Sequence, residues 1–325
     1  MKKLTKKYSV QLAGLLLLLT LLPVSCIKDD YAAKEKATVQ VTFTTRALSD
    51  ETIAGNELAD NEQMKTLRVI VAKDSKILYN EFYSEEDFDE YDNGQRYKTV
   101  TFSELVTEKE EDRTFDFYAI ANEVGTGYND WENVSVQTLE NREITQPSSS
   151  NSLIPQTAKK TITVQIPQDG GGIQEEKMQL EFVVAKVQLV IVNETGTAQS
   201  ISGISLSNAD VNNPQVPLFP NESLNLFVGN KNVTMSDMQV GGNDVSISSS
   251  QTAYVYENSA PESGYIFNAT WNNNNQPPVD LSAVKDLPRG KELRITIHLK
   301  QNSTAQFDYE VLDWTNVEVN IPEFD

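Results

Sequence analysis

Val39-Gln40-Val41-Thr42-Phe43 alternates apolar and polar side chains without a break. In an extended chain successive side chains point to opposite faces, so Val39, Val41 and Phe43 form one apolar row while Gln40 and Thr42 face the other way. β-Branched residues fill the first two places of that row and suit a pleated strand. The stretch reads as a half-buried β-strand.

Working outward, the same rhythm recurs. Leu67, Val69 and Val71 alternate with other residues, as do Phe115, Phe117 and Ala119, and then Ile162, Val164 and Ile166. Val187 to Val192 is apolar but for Gln188, which predicts a strand buried on both faces. Further strand-like segments follow at Ile201 to Leu206, Val245-Ser246-Ile247, Ala253-Tyr254-Val255, Tyr265 to Ala269, Leu293 to Leu299 and Phe307 to Val311. Asn93-Gly94, Gly241-Gly242-Asn243 and Pro288-Arg289-Gly290 supply turn chemistry between them. Only Ser103 to Glu111 and Glu132 to Glu140 read as short helices. Short strands spaced by turns predict an all-β chain of sandwiches. At 325 residues it is long enough for two tandem β-sandwich domains. Gly170-Gly171-Gly172 is the expected linker, dividing residues 47–171 from residues 172–325.

The N-terminus reads as an export signal. Lys2, Lys3, Lys6 and Lys7 precede the apolar run Leu12 to Leu22, and Pro23-Val24-Ser25-Cys26 follows. That run is too short for a good membrane span, so residues 1–25 read as a signal peptide. A lone cysteine at this place resembles a bacterial lipobox, which makes Cys26 the expected lipidation site and residues 26–46 a lipidated propeptide carrying the first strand. Pro23 departs from the aliphatic residue usual in that motif. Several acyl chains on one residue would anchor the precursor to the outer membrane. Lys28-Asp29-Asp30 resembles the signal that sends Bacteroidetes lipoproteins to the outer face.

Composition removes several chemistries. The formal net charge is −20, from 27 basic and 47 acidic residues. Such a surface repels phosphate backbones, so nucleic acid is not an expected partner. One cysteine and one histidine, Cys26 and His298, allow no intrachain disulfide and no Cys/His zinc site. No serine sits in a nucleophile elbow and nothing selects a catalytic carboxylate pair, so no enzyme and no cofactor are expected.

The two ends of the chain match. Val317-Glu318-Val319-Asn320-Ile321, followed by Pro322-Glu323-Phe324, repeats the pattern of Val39 to Phe43. If the first strand were cut away at Arg46, its groove would accept Val317, Val319, Ile321 and Phe324 of another copy, as in strand addition to a sheet edge. The pattern equally fits two ordinary strands, each in its own sheet.

The chain as a whole resembles the Bacteroidetes fimbrillins. The resemblance rests on Phe117-Tyr118-Ala119-Ile120-Ala121-Asn122, Val183-Val184-Ala185-Lys186-Val187, Tyr254-Val255-Tyr256-Glu257-Asn258, Pro288-Arg289-Gly290 with Leu293-Arg294-Ile295-Thr296-Ile297, and Val311-Leu312-Asp313-Trp314. Gly290 stands where that family usually has Asn. The resemblance implies transthyretin-like, Greek-key sandwiches and a structural pilus subunit exported as a lipoprotein. It implies a cut by an Arg-specific protease, here between Arg46 and Ala47. The segment bearing Val39, Val41 and Phe43 then leaves and a neighbour's donor strand takes its place. The implied partners are other copies or related fimbrial subunits, and a host or bacterial surface receptor. The implied location is the outer membrane for the precursor, then the fimbrium.

Other features have bland readings. The acidic run Glu85 to Asp92 has Tyr91 at a place where a calcium loop needs a ligand, so it reads as a solvated loop. His298 reads as structural. Trp131, Trp271 and Trp314 suit core or interface packing, although stacking on sugars would make the chain a surface glycan-binding lipoprotein. A fimbrial anchor or minor subunit that keeps its lipid and first strand is the nearer alternative.

Overall fold

The computed structural model describes residues 37–45, 58–90, 96–103, 105, 113–145, 152–165, 172–207, 215–219, 233–242, 247–255, 265–271, 274–275, 279–281, 284, 287–301 and 305–313. The chain is all-β. The first strands are β1 (Thr38–Thr44), β2 (Leu67–Lys73), β3 (Lys76–Tyr83), β4 (Asp89–Glu90), β5 (Arg96–Phe102) and β6 (Thr114–Ala121). A short helix, α1 (Val136–Glu140), precedes β7 (Glu143–Thr145), β8 (Gln156–Thr163), β9 (Ile173–Gln179) and β10 (Glu181–Phe182). Next come β11 (Ala185–Asn193), β12 (Gln199–Ser207), β13 (Gln215–Pro217), β14 (Val233–Thr234), β15 (Met238–Val240) and β16 (Ile247–Val255). The last are β17 (Tyr265–Trp271), β18 (Asn274–Asn275), β19 (Val279–Leu281), β20 (Lys291–Leu299) and β21 (Ala305–Asp313).

Two pairs of sheets form two sandwiches. In the first, β4-β5-β1-β9 faces β10-β8-β6-β2-β3. Val41, Phe43, Val100, Phe102 and Met178 of one sheet meet Leu67, Val69, Phe115, Phe117 and Ile162 of the other. In the second, β16-β11-β20-β21 faces a sheet built on β12 and β17, with β14, β15, β18 and β19 as short flanks. Val187, Leu189, Ile295 and Ile297 meet Ile204, Leu206, Phe267 and Trp271 there. Gly203, at φ +60°, sits where the β12–β17 register shifts between Ser202 and Ser205. A positive φ is easy only for glycine, so the bulge depends on it.

A third apolar cluster joins the halves. Ile70, Ala72, Tyr118 and Ile120 point out of the β6/β2 sheet, away from the first core. They pack with Trp131, Leu139, Phe182, Val184, Leu218, Phe219 and Tyr254. β7 and β13 pair as a small two-stranded ribbon beside this cluster.

Two sequence expectations are corrected here. The strand after the triple glycine, β9, pairs in parallel with β1 from Thr38↔Ile173 to Thr44↔Gln179. Residues 170–172 therefore fall between two strands of the first sandwich, and the chain passes to the second only at Val183 and Val184, just before β11. Secondly, β11 alternates between buried and half-buried positions and is not covered on both faces. The strands covered on both faces are β2 and β6, because the junction cluster lies on the side opposite the first core. Of the two expected helices, Ser103 to Glu111 lies almost wholly outside the described residues, and the second is matched in part by the single turn-and-a-half of α1.

Candidate functional site

The feature that stands out chemically is the seat of β1. It is an interior strand, antiparallel to β5 and parallel to β9. Val39 lies opposite Phe102, Val41 opposite Val100 and Phe43 opposite Lys98. All three inward side chains have 0% exposure, and Ala37 before them has 1%. Burying Val39, Val41 and Phe43 contributes roughly 5–9 kcal/mol before any hydrogen bond is considered. Both backbone edges of β1 are engaged, and the Leu180 amide also donates to the Thr44 carbonyl at 2.7 Å. Thr42 and Thr99 join their hydroxyls across the outer face at 3.0 Å.

The walls of this seat are braced independently of β1. The Phe102 ring stands edge-on to Tyr79 at 5.0 Å and to Phe117 at 5.4 Å. Lys98 donates to the Asp87 carbonyl at 2.6 Å and lies over the Tyr83 ring. The Tyr79 and Tyr83 hydroxyls meet at 2.5 Å. Burial, together with that bond, pushes the Tyr79 phenol far above its ordinary range, so it remains protonated. On the other wall, Lys160 of β8 donates to Glu176 of β9 at 2.7 Å. Lys160, then Gln174, hold the Glu176 carboxyl below the usual glutamate range.

β1 is also separable in the chain sense. Among the described residues the next strand in sequence is β2, which lies in the opposite sheet, so β1 pairs in no hairpin there. Removing it would open a slot between β5 and β9 and expose two unpaired backbone edges, a template for another strand.

No family model matches the chain, and no curated protein matches it by sequence. Solved structures do match. A cell-adhesion protein from Parabacteroides distasonis superposes with a TM-score of 0.55 at 14% identity, over 88% of this chain and 98% of that one. A fimbrial assembly protein from the same organism gives 0.51 at 14% identity, over 85% and 95%. A fimbrilin from Porphyromonas gingivalis gives 0.52 at 10% identity, over 87% and 99%. The fold is that of the fimbrilins. At these identities the likeness concerns architecture, and the fimbrilin fold includes both sandwiches of this chain.

Placed on the fimbrilin fold, the sequence-derived residues divide. Val39, Val41 and Phe43 share one buried row. Cys26, Arg46 and Ala47 lie outside the described residues, as do Val317, Val319, Ile321 and Phe324. Trp314, cited with the tryptophans, lies outside them too.

The glycan reading loses its platform at Trp271. That ring is 5% exposed in the second core and donates its indole N–H to Gln199 at 2.7 Å. Trp131 is buried in the junction cluster. His298 does have a partner that sequence could not name: its Nδ1 lies 3.0 Å from Glu194, which Lys300 also contacts at 2.6 Å. In the acidic run, Glu85 pairs with Arg96 and with Lys65, and Glu90 pairs with Arg96 at 3.2 Å. Asp87 accepts from the Ser84 amide at 2.8 Å. Among the described residues, no group of acidic, His or Cys side chains assembles a metal site.

Sequence reasoning missed β9 as half of the seat. Ile173-Gln174-Glu175-Glu176-Lys177-Met178-Gln179 has one buried side chain, Met178, so its alternation is faint. The apolar pair Met178 and Leu180 was the available signal.

Proposed function

We propose that this chain is a fimbrial subunit exported as a surface lipoprotein and assembled by exchange of its first strand. The observation that carries the reading is the interior, unhairpinned position of β1, whose last residue stands two places before Arg46. One cut after Arg46 would release the lipid on Cys26 and the strand together. A neighbour's tail then enters between β5 and β9. On a regular strand Val317, Val319 and Ile321 share a face and take the places of Val39, Val41 and Phe43. Phe324 falls out of phase with that row and contributes outside the slot.

The partners on this reading are other copies or related subunits, an Arg-specific protease and, for the precursor, the outer membrane. Residues 1–46 contain eight basic and three acidic residues, so the cut subunit carries a formal −25. Like charges repel along a fibre, and strand insertion must supply the attraction.

N-terminal sequencing of surface material tests this directly. A start at Ala47 is expected. A blocked Cys26 in the surface form would overturn polymerisation and identify an anchor instead. Deleting residues 317–325 is expected to leave export intact and abolish detergent-resistant ladders; normal ladders would remove the tail from the mechanism.

A further inference from the structure

A second, unrelated feature lies between α1 and β7. Arg142 follows the helix and is 3% exposed. Its guanidinium carbon sits 4.4 Å from the Tyr128 ring centre and 4.1 Å from that of Trp131. The two rings, edge-on to each other, hold the cation in the corner between them. One donor, Nη2, is used on Asp130 at 2.5 Å. Nε and Nη1 are shut off from water and make no hydrogen bond. Unmet donors on a buried cation are costly, and most buried arginines are better matched.

Arg142 and Asp130 line a cleft of about 380 Å³ with Tyr128, Gln137, Thr138 and Asn141. That volume suits a single small group. The described residues that line it are polar, charged or aromatic. Asn141 spends its amide N–H on the Gln137 carbonyl at 2.8 Å, which leaves its side-chain oxygen as an acceptor. The Asp130 side chain, 61% exposed, occupies the guanidinium as a carboxylate from solvent would, but it serves one nitrogen only.

We propose that this cleft binds an acidic sugar, whose carboxylate displaces Asp130 from Arg142 and whose hydroxyls meet Gln137 and Asn141. A carboxylate bridging Nη1 and Nη2 would satisfy a donor that Asp130 leaves unmet, in the bidentate geometry that arginine favours. The side-chain amides of Gln137 and Asn141 suit ring hydroxyls. On a chain of net charge −20, a single framed cation also limits the ligand to one carboxylate. The proposal does not depend on strand exchange, since none of these residues belongs to the core cluster or the strand pairings that hold β1.

The test uses the exported chain, titrated with D-glucuronate, D-glucose and acetate and followed by NMR. Glucuronate is expected to bind, glucose not to bind, and acetate to bind about tenfold more weakly than glucuronate. Asp130→Asn keeps the exposed site and removes the competing carboxylate, so glucuronate affinity should rise about fivefold. Arg142→Lys should lose glucuronate about tenfold or more, since lysine cannot bridge two oxygens. Gln137→Ala should weaken glucuronate and leave acetate unchanged. No glucuronate binding by either the natural chain or Asp130→Asn overturns the proposal, whatever the fate of Arg142→Lys. Equal binding of acetate and glucuronate overturns the sugar and leaves a plain carboxylate site.

Discussion

At the scale of single residues, Asn122 does work that its place in the sequence only hints at. It closes the Phe117 to Asn122 motif with a left-handed backbone, φ 56°, and 0% exposure. Its side chain donates to the Gln63 carbonyl at 2.9 Å and the Ile154 carbonyl at 3.0 Å, and accepts from the Lys65 amide at 2.9 Å. Asparagine tolerates that backbone better than most residues, and its amide replaces a backbone turn. Asn122→Ala should lower stability by about 3–4 kcal/mol, from three lost bonds, one buried and two part-buried, and a strained φ. Urea unfolding of the two proteins checks this; a loss below about 1 kcal/mol would mean water replaces the amide. The motif was legible as a pattern, but its reason was not, because the three partners lie far from Asn122 in sequence or follow an unpredictable loop.

At the scale of elements, alternation made β1 legible and pairing did not. Val39, Val41 and Phe43 announce an inward face on their own, whereas the choice of β5 and β9 as neighbours depends on contacts across sixty and more than a hundred residues. The parallel β1–β9 pairing was hidden for the same reason, and the triple glycine then drew the boundary to the wrong place. On the proposed reading, a chain beginning at Ala47 has an empty slot. A synthetic peptide of residues 37–45 should raise its melting temperature, the rise growing with the logarithm of peptide concentration once the slot is mostly filled, as for any ligand of the folded state. The same peptide with Val41→Asp should fail, because a buried unpaired carboxylate costs several kcal/mol. No response to the natural peptide would show that the slot closes on itself. The β9 wall carries a pH dependence of its own. The folded Glu176 carboxyl titrates below its ordinary 4.5, so its contribution is present above that value and is lost as pH falls through the lower folded value. Melting temperature should therefore fall more steeply from about pH 5 to about pH 3 in the natural chain than in Lys160→Met. Parallel curves would dismiss the Lys160–Glu176 tie.

At the scale of the molecule, the junction decides whether the two sandwiches act as one body. Phe219 is 3% exposed and stands edge-on to Tyr118 at 5.3 Å, so a residue after β13 packs on the outer face of β6. Polar ties accompany it. Tyr254 donates to Glu62 at 3.0 Å, Lys186 approaches the same carboxylate at 3.2 Å, and Thr157 donates to the Leu218 carbonyl at 2.8 Å. Each of these joins a residue before Val183 to one after it. A junction with this much buried apolar surface resembles a core more than a loose contact. On the proposed reading of a fibre held by the β1 slot of one subunit and the tail of another, tension on each subunit would pass through this cluster. Calorimetry of the natural chain should show a single transition, because neither sandwich can open without exposing the shared cluster. Phe219→Ala should cost about 3–5 kcal/mol and split the transition in two, since the cavity falls on the contact and in neither outer core. Two transitions already present in the natural chain would show that the junction couples the halves too weakly to carry load.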